Sequence, residues 1–141
     1  MDEQLANSKS ENKDDTPPVL VIDDSDIALQ AITDILYKEG IKVRTLRSAF
    51  GATKTVLRHQ IEVVITDINM PALRGNTLIA FFRKNPKLKH VRVVFVSSLP
   101  YAELKALAEQ TGADGMVSKD RLEIDLVTVV KQQIHRKRKT T

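Results

Sequence analysis

Four stretches of this chain end alike: Val19-Leu20-Val21-Ile22 before Asp23-Asp24, Val63-Val64-Ile65-Thr66 before Asp67, Val93-Val94-Phe95-Val96 before Ser97, and Gly115-Met116-Val117-Ser118 before Lys119. Short, largely apolar runs of this length read as strands covered on both faces, the habit of parallel sheets. Parallel strands bring their carboxyl ends to one edge, where open α/β sheets bind ligands. The four runs therefore predict one constellation: three carboxylates, a hydroxyl and an ammonium.

The segments between the runs carry helical spacing. A helix is predicted from about Asp26 to Glu39, with Ile32, Ile35 and Leu36 on one face and Gly40 as its stop. A strand over 42–46 leads to a helix near 50–59, and the third strand, 61–66, ends at Asp67. The Met70-Pro71 to Gly75 loop precedes a helix containing Leu78, Phe81 and Phe82, which Asn85-Pro86 closes. After a strand over 91–96, Pro100 suits the first position of a helix that turns Leu104, Leu107 and Ala108 inward and ends at Gly112. A short strand at 114–118 leads to a last helix over 121–135, with Leu122, Leu126, Val127, Val130 and Ile134 inward. Five βα units make an α/β fold, a doubly wound five-stranded parallel sheet with five helices on its two faces.

Composition fits one such domain. A chain of 141 residues buries roughly two-thirds of its surface on folding. No apolar run approaches the ~20 residues that cross a bilayer, and no apolar signal region opens the chain, so a cytoplasmic location is expected. The absence of cysteine excludes disulfides, thiolate zinc sites and a cysteine nucleophile. The net charge of +4 is equalled by Arg136, Lys137, Arg138 and Lys139 alone, whereas residues 1–16 set five acids against two lysines. The expected organisation is a disordered leader over 1–16, a folded domain over 17–135 and a basic flexible tail over 136–141.

The strand-end residues specify a chemistry. Asp23, Asp24 and Asp67 gathered without a counter-charge would repel one another, and a hard cation relieves this. Mg²⁺ takes oxygen ligands in octahedral array, and the backbone carbonyl near Asn69 offers one more. An aspartate nucleophile flanked by a metal, the Lys119 ammonium and the Ser97 hydroxyl is equipped to accept a phosphoryl group.

On these residues the chain resembles the receiver domain of bacterial two-component response regulators, especially the stand-alone chemotaxis type. The likeness covers about Pro18 to Ile134 and rests on Asp23-Asp24, Asp67-Ile68-Asn69-Met70-Pro71 with Gly75, Ser97-Ser98, and Lys119 after Gly115-Met116-Val117-Ser118. The resemblance implies a flavodoxin-like strand order, 2-1-3-4-5. It implies Asp67 as the phosphoacceptor from a histidine kinase or phosphotransfer protein, in a self-catalysed reaction rather than conventional enzyme turnover. It further implies Asp24 as a direct Mg²⁺ ligand, Asp23 as an acidic-pocket residue acting through water, the Asn69 carbonyl as a third ligand, and Ser97 and Lys119 as contacts of the aspartyl phosphate. Output is expected through changed protein contacts with a partner, as a monomer or a phosphorylation-dependent dimer.

Two positions depart from that family. Met116 stands where a tyrosine or phenylalanine is usual, which brings the serine-to-aromatic switch into question. Lys119-Asp120 replaces the usual Lys-Pro, so a trans bond is expected, with Asp120 as helix N-cap and Glu123 as its capping-box partner. Tyr101 is read as an ordinary half-buried tyrosine. The alternative reading is a receiver-like module whose tail, Arg136 to Lys139, binds an anion such as cyclic di-GMP or nucleic acid.

Other signals are weaker. Asp24-Ser25-Asp26 lacks the following threonine of haloacid-dehalogenase phosphatases, and Gly51 to Thr55 lacks the glycine spacing of a phosphate loop within a predicted helix. His59, His90 and His135 are single and far apart, and no Gly-x-Ser-x-Gly elbow is present.

Overall fold

The computed structural model describes residues 18–68 and 75–136. In chain order the elements are β1 (Val19–Ile22), α1 (Asp26–Tyr37), β2 (Val43–Leu46), α2 (Ala52–His59), β3 (Val63–Asp67), α3 (Gly75–Lys84), β4 (Arg92–Ser97), α4 (Tyr101–Thr111), β5 (Gly115–Ser118), a 3₁₀ turn (Lys119–Arg121) and α5 (Leu122–Arg136). All four strand pairings are parallel and the order is β2-β1-β3-β4-β5, as the resemblance implied.

Alternation along each strand divides the core between two faces. Leu20, Ile22, Val64, Val93 and Phe95 pack with α2, α3 and α4 through Val56, Phe82 and Leu104. Their sequence neighbours Val19, Val21, Ile65, Val94 and Val96 point the other way, to Ile32 and Leu36 of α1 and Leu126 and Val130 of α5. The four residues of β1 are all buried, which is why its sequence is apolar without alternation. Strand β2 is only half-buried at its ends and exposed at Arg44 and Thr45, as an edge strand with one neighbour should be. Fully buried Phe82 and Phe95 each contribute roughly 1.5–3 kcal/mol of transfer free energy.

Local chemistry sets the boundaries. Ser25 caps α1, its hydroxyl accepting from the Ala28 N–H at 3.2 Å. That helix ends at Tyr37, two residues before the expected Glu39, and the chain turns through Gly40 at φ +75°. Helix α2 starts at Ala52, after Gly51 adopts a left-handed φ of +86°. At Gly115 close approach rather than φ forbids a side chain: a Cβ there would lie 2.8 Å from Val129 Cγ1 of α5.

Two expectations need correction. Asp120 does not cap the last helix: it lies inside the 3₁₀ turn, and Ser118 Oγ accepts the Asp120 N–H at 3.2 Å, so the hydroxyl one residue before Lys119 takes the capping place. Tyr101 is 62% exposed rather than half-buried, because it opens α4 at the sheet's rim, ahead of that helix's buried positions Leu104 and Ala108. Phe81 is half exposed, with Phe82 taking the core position beside it. The Lys119–Asp120 peptide is trans, as expected. The leader 1–16, Asn69 to Arg74 and Lys137 to Thr141 lie outside the described residues. No described helix is long and apolar enough to cross a membrane.

Candidate functional site

Register builds the site. Ile22 is level with Thr66, Asp67 with Val96, and Ser97 with Ser118, so Asp23, Asp67, Ser97 and Lys119 all arrive at one edge. The carboxylate oxygens of Asp23, Asp24 and Asp67 lie within 4.8 Å of one another. Asp24 is exposed, Asp67 half-buried and Asp23 buried at 1% exposure.

Each carboxylate is held differently. The Asp23 N–H donates to the Leu46 carbonyl at 3.1 Å, fixing the end of β1 to β2. Asp23 Oδ1 accepts from the Ser25 N–H at 2.9 Å, which ties the acidic pair to the cap of α1. Asp23 Oδ2 is buried without an aligned hydrogen bond, and its neighbour is the Lys119 ammonium at 3.1 Å. The same ammonium lies 3.4 Å from Asp67 Oδ2. Burial opposes the charge on Lys119, but its close pairing with Asp23 and the fields of Asp67 and Asp23 outweigh that and hold its pKa above the ordinary 10.5. Lys119 is therefore a permanent cation at neutral pH.

Three carboxylates and one ammonium leave the cluster at a formal −2. That deficit, together with a buried carboxylate oxygen lacking an aligned donor, fits a hard dication. Ser97 is 1% exposed, and its Oγ accepts the Leu99 N–H at 3.0 Å, so the hydroxyl also braces the turn into α4. Thr66, likewise buried, donates its hydroxyl to the Asp67 carbonyl at 3.0 Å.

The structure thus brings together five of the six expected site residues, and Asn69 lies outside the described ones. Residues 19–131 match the model of the response regulator receiver domain. The chain belongs to this family. Among relatives of the receiver, the two-component response regulator ORR8 of Oryza sativa subsp. indica is 26% identical over 117 residues, which is 82% of this chain and 97% of the rice protein. The protein-glutamate methylesterase/protein-glutamine glutaminase of Archaeoglobus fulgidus is 34% identical over 123 residues, 84% of this chain but only 34% of that protein. The response regulator receiver domain protein of Clostridium thermocellum superposes with a TM-score of 0.77 at 28% identity, over 89% of this chain and 99% of the other. Chemotaxis protein CheY4 of Vibrio cholerae shares the fold, with a TM-score of 0.73 at 23% identity over 83% and 98% of the two chains.

Beside the acidic edge, Ser98, Pro100, Tyr101, Met116, Arg121 and Asp125 line a cavity of about 680 Å³. Met116 packs against the core from its floor, and the Arg121–Asp125 ion pair at 2.8 Å borders it. The receiver is a signalling module. Sequence reasoning missed the Ser97–Leu99 brace and the Ser118 cap. Both are Ser-x-x signals, a hydroxyl two residues before a backbone N–H that needs an acceptor.

Proposed function

We propose that this receiver is a phosphorylation switch in which Asp67 accepts a phosphoryl group from the phosphohistidine of a histidine kinase or phosphotransfer protein. The observation that carries this reading is the Lys119 ammonium shared between Asp23 and Asp67 at 3.1 and 3.4 Å within a cluster that still lacks two positive charges. An Asp67 carboxylate oxygen attacks phosphorus. The P–O bond forms as the P–N bond breaks, and the electron pair leaves with the donor's imidazole.

Asp24, the Asp23 pocket and the Asn69 carbonyl would hold Mg²⁺, with Asp67 as a further ligand; when bound, the ion neutralises charge developing on the phosphoryl oxygens. Lys119 supplies the remaining fixed positive charge. Ser97 Oγ accepts the Leu99 N–H while its own O–H can still donate to an aspartyl phosphate, so any shift of this hydroxyl toward Asp67 would bear on the turn that begins α4. The output is a changed protein contact. The tail reading is not carried forward, since the family match is to a receiver and Lys137, Arg138 and Lys139 lie outside the described residues.

Incubation with Mg²⁺ and acetyl phosphate, followed by intact-mass measurement, tests this function. One added phosphoryl group is expected in the wild type and none in Asp67→Asn. A folded wild-type protein that gains no mass would contradict it.

A further inference from the structure

A second concave site lies at the opposite edge of the sheet. Helices α1 and α2 run back against the strands they connect, so their carboxyl ends meet the start of β2. There Thr33 and Tyr37 of α1, Lys42 and Arg44 around the start of β2, His59 of α2 and Pro18 line a cavity of about 640 Å³. This lies within the range of small-molecule pockets, about 300–1,000 Å³. No carboxylate lines it, and Tyr37 is 78% exposed, its ring presented to solvent rather than packed in the core.

Arginine pairing sets this place apart. Arg47 pairs with Asp26, Arg83 and Arg92 with Asp114, and Arg121 with Asp125. Arg44 and Arg58 have no carboxylate partner among the described residues. Both act on His59: burial first, then the Arg44 and Arg58 charges, pushes its pKa below the ordinary 6.5. At neutral pH His59 is therefore a neutral imidazole, able to donate one hydrogen bond and accept one.

The carboxyl end of α2 explains Arg58, a cation in the last turn of a helix. It does not explain Arg44, which is exposed on the edge strand β2. Nor does it explain the exposed aromatic ring on the same cavity wall. A guanidinium fork suits phosphate oxygens, and a phenol ring offers a face to a flat ligand.

We propose that this pocket binds a nucleoside monophosphate, with Arg44 taking the phosphate, His59 hydrogen-bonding to it and Tyr37 lying against the base. The site shares no residue with the phosphoacceptor cluster, so it stands or falls separately from the function proposed above. The helix carboxyl ends oppose an anion, and the side chains must supply the attraction; a dissociation constant on the order of 1 mM is expected.

Adenosine 5′-monophosphate, inorganic phosphate and adenosine are titrated separately into the full chain, with the His59 imidazole and Arg44 amide resonances followed by NMR. The monophosphate should saturate, inorganic phosphate should bind about tenfold more weakly, and adenosine should not saturate. Arg44→Ala should weaken monophosphate binding about tenfold or more, and Tyr37→Ala should reduce it to the level of phosphate. Both side chains are exposed, and circular dichroism checks that the variants fold. An unchanged constant in Arg44→Ala overturns the proposal. So does absence of saturation by the monophosphate in the wild type.

Discussion

Two ionic clusters stand at opposite edges of one sheet, built to opposite rules. At the amino edge Asp114 Oδ2 accepts from Arg83 Nη2 at 2.7 Å and from the Val93 N–H at 2.8 Å, with Arg92 Nη1 3.8 Å from Oδ1. Arg83 also donates to the Val91 carbonyl, and Gln133 to the Asp114 carbonyl at 2.9 Å, so α3, β4 and α5 are tied at one residue just before β5, through its carboxylate and its backbone carbonyl. Here the cations exceed the anion and Asp114 Oδ2 is met by directed hydrogen bonds, while Arg92 stands at ion-pair distance with its Nε buried and without a hydrogen-bond partner. At the carboxyl edge the anions exceed the cation, and the buried Asp23 Oδ2 has a charge beside it but no aligned donor. A carboxylate saturated with donors holds elements together. A surplus of carboxylates is what the proposed dication and phosphoryl chemistry would use.

Breaking the Asp114 cluster should have the largest effect on stability. Asp114→Ala removes the acceptor of Arg83 and of the buried Val93 N–H and leaves half-buried Arg92 without its counter-charge, and should cost about 3 kcal/mol or more in urea unfolding. Its folded fraction should still gain a phosphoryl group. A loss below about 1 kcal/mol would erase the distinction between the two edges.

Lys119→Met tests the other edge. Without Mg²⁺ it should cost only about 1 kcal/mol, because Lys119 is partly exposed and the pair is screened by solvent, yet phosphoryl uptake should slow about tenfold or more. The pH dependence has a definite sign. A folded-state pKa raised above 10.5 means that the stabilisation is fully present below that value and disappears as pH rises through the folded pKa. Wild type and Lys119→Met should therefore converge in stability in strongly alkaline solution; a difference that widens there would contradict the ion pairs seen.

Ser97→Ala should have a smaller effect, about 1 kcal/mol, because it removes the acceptor of one backbone N–H. Hydrogen exchange at Leu99 should speed up in the variant, and unchanged protection would show that Oγ does not brace the turn.

The carboxyl edge could be read almost entirely from sequence, and the amino edge hardly at all. Asp23, Asp67, Ser97 and Lys119 each follow an apolar run, and parallel topology converts that shared position into proximity. Asp114 follows no such run. Its partner Arg83 lies 31 residues away at a helix end, and nothing in either segment signals the pairing. Gln133 shows the same limit: it is 3% exposed on a helix whose apolar spacing passes over it, and its burial is explained only by the carbonyl it meets. The pocket of Tyr37, Arg44 and His59 draws on three elements, and its histidine reads in sequence as a lone surface residue. At Asp120 two local capping patterns competed. The Ser118 hydroxyl won because the chain enters α5 through a 3₁₀ turn.

The carboxyl edge, with three carboxylates to one ammonium, is proposed to be two charges short for an incoming dication. Thermal unfolding of the wild type and Asp24→Asn, each in EDTA and in Mg²⁺, tests it most directly. In EDTA the variant should be the more stable by about 0.5 kcal/mol, since an exposed charge that only repels its neighbours is gone. In saturating Mg²⁺ the order should reverse, with the wild type gaining about 2.7 kcal/mol at a hundredfold excess over its dissociation constant and the variant much less. A stability order that is the same in both conditions, or equal gains for both proteins, would contradict the account.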